Sequence, residues 1–255
     1  MPITLTRVDE FALMTIEREQ ALNALSFSLI AEIGNCLKSV AQTDARALFI
    51  TGAGSKAFCA GADIGELTGR ELEAQRRGAE LGQQTFALLD KLPMPSIALI
   101  NGYAFGGGLE LALACSFRLA GPKARMGLPE VKLGLIPGYG GTQRLPRVVG
   151  EARALDMILT GRTVEAEEAA RIGLVHQVVE GDLLQAGLRM ARQFSSHSLL
   201  TLRLAREAVT RALDTPLQEG LRIEADLSTL AYRSQDANEG MAAFLEKRKP
   251  QFKDR

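Results

Sequence analysis

The segment Asn101-Gly102-Tyr103-Ala104-Phe105-Gly106-Gly107-Gly108-Leu109-Glu110 decides the fold, because it places a glycine-rich turn between a predicted strand and a predicted helix. The strand is the apolar run at residues 96–101, and the helix is the run of small residues at 107–115. Phe117–Ala120 predicts a further strand. Strands that alternate with helices indicate a layered α/β fold, in which ligands bind at the loops that leave the strands.

The same alternation extends toward the N-terminus, whereas the C-terminal part is mainly helical. Further strands are predicted at Ile3–Val8, Phe11–Ile16 and residues 46–51, and helices at 27–41 and 71–91. Apolar residues then recur at helical spacing in 152–160, 164–171, 183–194, 199–213 and 217–233. Because no proline- or serine-rich linker marks the change, we expect the helical part to pack onto the same unit.

The composition and charge of the chain exclude several classes of function. Lys+Arg and Asp+Glu are both 30, so no strong net field would attract nucleic acid or an anionic membrane. No apolar run approaches the roughly 20 residues that cross a bilayer, and residues 1–10 do not form a secretory signal. The three cysteines, Cys36, Cys59 and Cys115, follow no pattern. We therefore expect a soluble protein with reduced thiols in the cytoplasm.

Histidine chemistry has little support in this sequence. The chain has only His176 and His197, and neither lies in a motif. No cluster of Cys and His offers the four ligands of a structural zinc site, so no metal site is predicted. Without a histidine in a motif to activate it, Cys59 is interpreted as a small apolar filler. Carboxylates are therefore the expected acid–base groups.

Two small-residue turns follow predicted strands and allow the backbone to approach a ligand closely. One is the loop of residues 56–64, and the other contains Gly106, Gly107 and Gly108 at the start of a helix. The free N–H groups of a helix start favour developing negative charge. Two such turns on neighbouring strands can form an oxyanion hole, in which each donor is worth about 3–4 kcal/mol. The alternative is that the triple glycine only allows tight packing of helix on sheet.

Residues 52–57, Gly-Ala-Gly-Ser-Lys-Ala, also fit a loose dinucleotide-binding fingerprint after a strand. That fingerprint must open a helix, and residues 58–62 lack helical character. We therefore predict no nucleotide binding by this motif.

Glu110 and Glu130 are the candidate acid–base residues. Glu110 lies three residues into the helix that the glycines open, and Glu130 lies between the glycine turns at Gly127 and Gly134. A lone glutamate in the first turn of a helix is usually a surface residue that complements the helix dipole. The apolar neighbours of Glu130 favour a functional role instead.

At these residues the chain resembles the enoyl-CoA hydratase/isomerase, or crotonase, family. The resemblance covers nearly the whole chain, and its motifs occur in the family's order. They are Ala21-Leu22-Asn23-Ala24-Leu25, residues 58–64, 101–110, 129–134, 136–145, 159–162, 173–175 and 239–248. So many motifs in one order are not explained by chance.

The resemblance implies both a fold and an assembly. It implies an α/β, crotonase-like spiral of ββα turns, which we place as a core domain over residues 1–195. It also implies a helical C-terminal region, residues 196–255, that forms trimers. Relatives of this kind usually assemble as homo-hexamers built from two trimers.

The resemblance also implies a reaction. It places the oxyanion hole at the N–H groups of Ala62 and Gly107, and the catalytic carboxylates at Glu110 and Glu130. Hydratases that resemble this chain keep both glutamates, whereas many other members of the family lack one or both. The implied activity is reversible addition of water to a 2-enoyl-CoA, giving a 3-hydroxyacyl-CoA in fatty-acid or related acyl-CoA breakdown. Two nearby carboxyls do not easily both ionise, so one is expected to have a raised pKa.

Coenzyme A is expected as part of the substrate, and no separate cofactor is predicted. The resemblance implies contacts with the substrate at Lys56, Ala60, Ala62, Asp63, Ile64, Gly138, Tyr139 and Lys247. Tyr139 either lines the acyl pocket or only packs, and Lys247 either reaches the coenzyme of an adjacent subunit or is solvated. Many relatives have a lysine where this chain has Gln20, which removes a phosphate contact.

Three other functions are compatible with such a fold. An enoyl-CoA isomerase moves the double bond without water, but the presence of both glutamates argues against this as the main activity. An RNA-binding relative would need a basic, aromatic surface, and this chain has zero net charge, no Trp and 5% aromatics. A silent subunit of a larger assembly would have no activity alone.

Overall fold

The computed structural model describes residues 2–255, in which the strands form two sheets. The strands are β1 Ile3–Val8, β2 Phe11–Ile16, β3 Leu48–Gly52, β4 Ala57–Cys59, β5 Ser96–Ile100, β6 Tyr103–Phe105, β7 Phe117–Ala120, β8 Arg125–Gly127, β9 Val164–Glu165 and β10 Gln177–Val178. Within these residues one sheet has the order β1-β2-β3-β5-β7-β10 and the other has the order β4-β6-β8-β9. The pairs β1–β2 and β8–β9 are antiparallel, and the others are parallel.

Helices connect the strands and cover the sheets. They are α1 Phe27–Val40, α2 Ile64–Leu67, α3 Leu72–Lys91, α4 Gly107–Ala114, α5 Gly141–Val149, α6 Glu151–Thr160, α7 Ala166–Arg171, α8 Leu183–Arg192, α9 Leu199–Arg211, α10 Leu217–Tyr232 and α11 Gln235–Leu245. The successive pairs β3–β4, β5–β6 and β7–β8 each give one strand to each sheet before the next helix begins. This repeated ββα turn is the predicted spiral.

Helix α4 lies at the centre of the spiral, because all eight of its residues are buried. Apart from Glu110, its side chains are apolar, as expected for a helix with no solvent face. Fully buried side chains from several turns, including Phe58, Phe86 and Leu109, belong to the same core. The start of α4 is therefore enclosed by packed protein except where Gly107 lines a cavity.

The C-terminal helices α9, α10 and α11 follow the predicted boundary at residue 195, which falls between α8 and α9. Arg206 of α9 donates to the carbonyl of Met94 at 2.6 Å and also contacts the carbonyl of Leu92. These bonds tie the C-terminal helices to the chain that leaves α3. None of the helices in residues 2–255 combines the length and the hydrophobicity of a membrane-spanning segment.

One local prediction was wrong, and one strand was not predicted. The glycine-rich turn opens helix α4 as predicted, but within residues 101–110 Tyr103–Phe105 first forms strand β6, which pairs with β4 and β8. Residues 164–171 were predicted to be helical throughout, but Val164–Glu165 pairs with β8 before α7 begins. Strands of two or three residues are too short to show a period in the sequence.

Candidate active site

The loop that carries Ala62 is fixed by hydrogen bonds to Leu25. The Leu25 N–H donates to the Gly61 carbonyl, and the Asp63 N–H donates to the Leu25 carbonyl, both at 2.8 Å. Successive peptide groups of an extended chain point to opposite sides. The N–H of Ala62 therefore points away from Leu25, and Ala62 lines a cavity on that side.

Asp63 supports this loop instead of lining the cavity. One of its carboxylate oxygens accepts the Gly65 N–H at 3.2 Å at the start of α2, and the other accepts Arg18 Nη2 at 3.0 Å. The Arg18 Nη1 also donates to the Ala24 carbonyl at 2.8 Å. Arg18 thus joins both chain segments that position Ala62.

The three glycines before Leu109 contribute to the site in three different ways. Gly106 has φ +48° and ψ −125°, a conformation that L side chains rarely adopt. A Cβ on Gly108 would lie 2.0 Å from the Cys59 carbonyl oxygen, so the predicted tight packing of helix on sheet holds at this position. Gly107 is the first residue of α4, where the N–H has no partner within the helix. Its N–H is available to an acceptor in the cavity that Gly107 lines.

Glu110 is a buried residue and not a surface residue that complements the helix dipole. Its side chain is 1% exposed. Its Oε1 accepts the N–H groups of Tyr139 at 2.8 Å and Gly141 at 2.7 Å. Burial raises the pKa of Glu110 to about 7, with a further increase from the charge of Glu130, although the N–H groups oppose the shift.

Glu130 lies across from the glycine turn. A Cβ on Gly106 would lie 2.8 Å from Glu130 Oε1, which shows how closely the carboxyl approaches this turn. Its Oε2 is buried and has no hydrogen-bond partner within residues 2–255. Burial raises the pKa of Glu130 as well. Burial thus raises the pKa of both carboxyls above that of a free glutamate.

One cavity of about 240 Å³ brings most of the predicted site together. Among the predicted residues, it is lined by Ala60, Ala62, Ile64, Gly107, Glu110, Glu130, Gly138 and Tyr139. Lys56, Asp63 and Lys247 do not line it. Lys56 and Lys247 are exposed, and their contacts with the coenzyme stay predictions. Tyr139 both lines the cavity and packs edge-on against Phe86, with ring centroids 5.9 Å apart.

Two other sequence interpretations agree with the structure. Residues 52–57 lead from β3 into strand β4 and open no helix, so the dinucleotide fingerprint is not formed. Cys59 is fully buried, and burial raises the pKa of its thiol to about 12, as expected for an unreactive filler. Within residues 2–255, no group of three or more His, Cys, Asp or Glu residues could hold a metal ion.

Several cavity residues were missed by the sequence analysis. They come from α2, α3 and the segment after Glu130, and are Leu67, Gln75, Ala79, Leu133, Leu135 and Ile136. Helical spacing predicted α3 but did not give its rotation about the axis. Leu133, at the end of a short 3-10 helix, and the loop residues Leu135 and Ile136 are exposed, with Ile136 73% exposed. An apolar run next to a candidate catalytic residue was the available signal.

The raised pKa of Glu110 gives a testable pH dependence of stability. In the unfolded chain the carboxyl ionises near 4.5, whereas in the folded protein it ionises near 7, so the folded state binds the extra proton between these values. The resulting stabilisation is fully present below pH 4.5 and is lost as pH rises through 7. Glu110→Gln removes this dependence. We expect the free energy of unfolding of the variant, relative to wild type, to increase by roughly 3 kcal/mol over this range.

Urea unfolding of both proteins at several pH values measures this difference. Glu180→Gln, at an exposed position, is the control and should leave the pH dependence unchanged. A constant difference between Glu110→Gln and wild type across the range would contradict the raised pKa.

The chain matches one known family along nearly its entire length. Residues 7–255 match the model of the family described as enoyl-CoA hydratase/isomerase. The chain belongs to the enoyl-CoA hydratase/isomerase family. Within this family, it is 42% identical to the crotonyl-CoA hydratase of Syntrophomonas wolfei, over 98% of this chain and 97% of that protein. It is 45% identical to a probable enoyl-CoA hydratase of Rhizobium meliloti, over 95% of this chain and 94% of that one.

Solved structures of the enoyl-CoA hydratase/isomerase family agree with this fold. The crystal structure of enoyl-CoA hydratase from Bacillus anthracis superposes with a TM-score of 0.94 at 39% identity, and the match covers 100% of both chains. The predicted family and fold class are thereby confirmed.

Proposed function

We propose that this protein is an enoyl-CoA hydratase, which reversibly adds water to a 2-enoyl-CoA and forms a 3-hydroxyacyl-CoA. The observation that carries the proposal is the convergence of Glu110 and Glu130 on one cavity, together with the backbone of Ala62 and Gly107. The similarity to a crotonyl-CoA hydratase over nearly the whole chain supports it.

The proposed reaction uses the two carboxyls as an acid–base pair. A carboxylate removes a proton from water as the water oxygen bonds to C3 of the substrate. The other carboxyl, in its protonated form, delivers its proton to C2, so that one water molecule is added in total. Burial raises the pKa of both Glu110 and Glu130, which favours a pair that holds one proton between them.

The proposed role of the backbone is to stabilise negative charge. The N–H groups of Ala62 and Gly107 donate to the thioester carbonyl oxygen, which becomes enolate-like as water adds. Their positions are fixed by hydrogen bonds to Leu25 and by the start of α4, so little reorganisation is needed during the reaction. This chemistry needs no resident cofactor, because coenzyme A enters as part of the substrate. Lys56, Asp63 and Lys247 are the proposed further contacts of the coenzyme.

We also propose a homo-hexamer, built as two trimers, in the cytoplasm. The supporting observation is a set of large apolar side chains exposed in the C-terminal region, on helices α9, α10 and α11 and in the turn between α9 and α10. They are Val209, Leu213, Leu217, Leu221, Leu230, Tyr232, Phe244 and Leu245. Burial of such residues between subunits is typical of obligate interfaces. Sedimentation equilibrium should give a mass close to six times the chain's 27.5 kDa, and a monomeric mass would contradict the assembly.

Hydration of crotonyl-CoA by the purified chain tests the function. We expect loss of the enoyl thioester and formation of 3-hydroxybutyryl-CoA, whose new hydroxyl carries oxygen from isotopically labelled water. A 3-enoyl-CoA supplied in parallel tests the isomerase alternative. Double-bond migration without water addition to crotonyl-CoA would contradict the proposal.

A further inference from the structure

Helix α3 approaches the active-site cavity closely enough to place Gln75 in its wall. A Cβ on Gly78 would lie 2.4 Å from the Phe27 ring, and a Cβ on Gly82 would lie 2.2 Å from the Tyr139 ring. Only glycine at these two positions allows the helix backbone to contact both rings. Gln75 and Ala79, on the neighbouring part of the helix surface, line the cavity.

Gln75 is a polar residue in a largely apolar cavity. The apolar residues that line the same cavity include Leu67, Ala79, Leu133, Leu135 and Ile136. The Oε1 atom of Gln75 is buried and has no hydrogen-bond partner within residues 2–255. Its backbone N–H donates to the Glu71 carbonyl at 2.9 Å, so the unpaired group is the side chain alone. A buried amide oxygen without a donor is unfavourable, and a ligand that supplies the donor gains affinity.

Gln75 has no role in the steps of the proposed reaction. Water activation and proton delivery belong to Glu110 and Glu130, and the carbonyl oxygen is bound by the backbone of Ala62 and Gly107. The parts of the substrate left to contact Gln75 are the acyl chain beyond the reacting double bond and the pantetheine arm. Because the other α3 and loop residues that line the cavity are apolar, we assign Gln75 to the acyl chain.

The cavity chemistry selects among possible acyl chains. A purely alkyl chain would leave the Gln75 amide unpaired. A carboxylate would enter a cavity whose lining, among residues 2–255, contains Glu110 and Glu130 but no lysine or arginine, so its charge would stay unpaired. A hydroxyl group is neutral and donates the hydrogen bond that Oε1 lacks.

We propose that Gln75 makes this enzyme selective for 2-enoyl-CoA substrates that carry a hydroxyl group on the acyl chain beyond the double bond. This inference rests on the proposed hydratase activity. It assigns Gln75 as a specificity-determining residue that contacts the substrate and takes no part in proton transfer.

The test compares substrates that differ only in the hydroxyl group. The purified full chain is assayed with hex-2-enoyl-CoA and with its 4-, 5- and 6-hydroxy derivatives. We expect wild type to have its highest kcat/KM for one of the hydroxylated substrates. Gln75→Met keeps the length of the side chain and removes the amide, and it should shift the ratio of hydroxylated to unsubstituted kcat/KM by about 10-fold toward hex-2-enoyl-CoA.

A matched control is Gln84→Met, an exposed glutamine on the same helix, which should leave the ratio unchanged. Gln75→Leu provides a second apolar variant if methionine impairs folding. An unchanged ratio in the Gln75 variants, an equal loss with both kinds of substrate, or a wild-type preference for hex-2-enoyl-CoA would overturn the inference. In each of these cases hydration of hex-2-enoyl-CoA by wild type leaves the proposed function intact. If wild type hydrated none of these substrates, the result would contradict both the selectivity for hydroxylated substrates and the proposed hydratase function.

Discussion

Replacement of Glu110 or Glu130 by glutamine is expected to lower kcat for crotonyl-CoA hydration by at least about 10²-fold, the scale of a positioned acid–base group. Glutamine keeps the shape of the side chain but can neither accept a proton from water nor deliver one to C2. In the Glu110→Gln variant the new amide carbonyl still accepts the N–H groups that Tyr139 and Gly141 donate to Oε1 of wild type. The loss therefore reports on chemistry and not on folding.

The double variant, Glu110→Gln with Glu130→Gln, tests whether the carboxyls act as one unit. Groups that share one proton are not additive, so the double variant should be little slower than the slower single variant. Steady-state kinetics of the three variants, with Glu180→Gln as the exposed control, measures this. If both single variants hydrated crotonyl-CoA at the wild-type rate, neither carboxyl would be catalytic.

Several elements of the fold could be predicted from the sequence, although helices α5 and α11 were not. Ile3–Val8, Phe11–Ile16 and Phe117–Ala120 were predicted with the bounds that the structure has. The predicted helix at 71–91 is α3, Leu72–Lys91.

The second sheet could not be predicted from local patterns. Strands β4, β6 and β8 have three residues each, and each is defined by its parallel neighbours in the next turn of the spiral. Such pairing depends on contacts between residues that are far apart in the sequence. The family resemblance implied the spiral, whereas the residue pattern alone indicated only a layered α/β fold.

The candidate site, too, could be predicted from the sequence only in part. The types and spacing of residues indicated two glutamates and two small-residue turns. The burial of Glu110 could not be predicted, because it depends on α4 being enclosed and on N–H donors 29 and 31 residues away. The position of Gln75 likewise depends on Gly78 and Gly82, whose role becomes visible only when Phe27 and Tyr139 lie against them.

Gly106→Ala is expected to reduce kcat by about 10²–10³-fold, the effect of losing one oxyanion-hole donor. The backbone of Gly106, at φ +48° and ψ −125°, would be strained by about 1–3 kcal/mol with any Cβ. Relief of that strain rotates the peptide between residues 106 and 107, and the N–H of this peptide is the one that Gly107 contributes. The new methyl group would also lie 2.8 Å from Glu130 Oε1, so the carboxyl must move as well.

The Gly181→Ala variant separates the effect of backbone strain on stability from the effect of Gly106→Ala on the active site. Gly181 has φ +94°, and a Cβ there would meet nothing within 4 Å, so this variant has a comparable strain without a contact at the site. We expect both variants to lower the melting temperature but only Gly106→Ala to lower kcat. Wild-type kcat in Gly106→Ala would mean that the orientation of the Gly107 amide does not matter to the reaction. The negative charge on the thioester oxygen would then have to be stabilised elsewhere, because Ala62 alone would leave half of the proposed oxyanion hole without a donor.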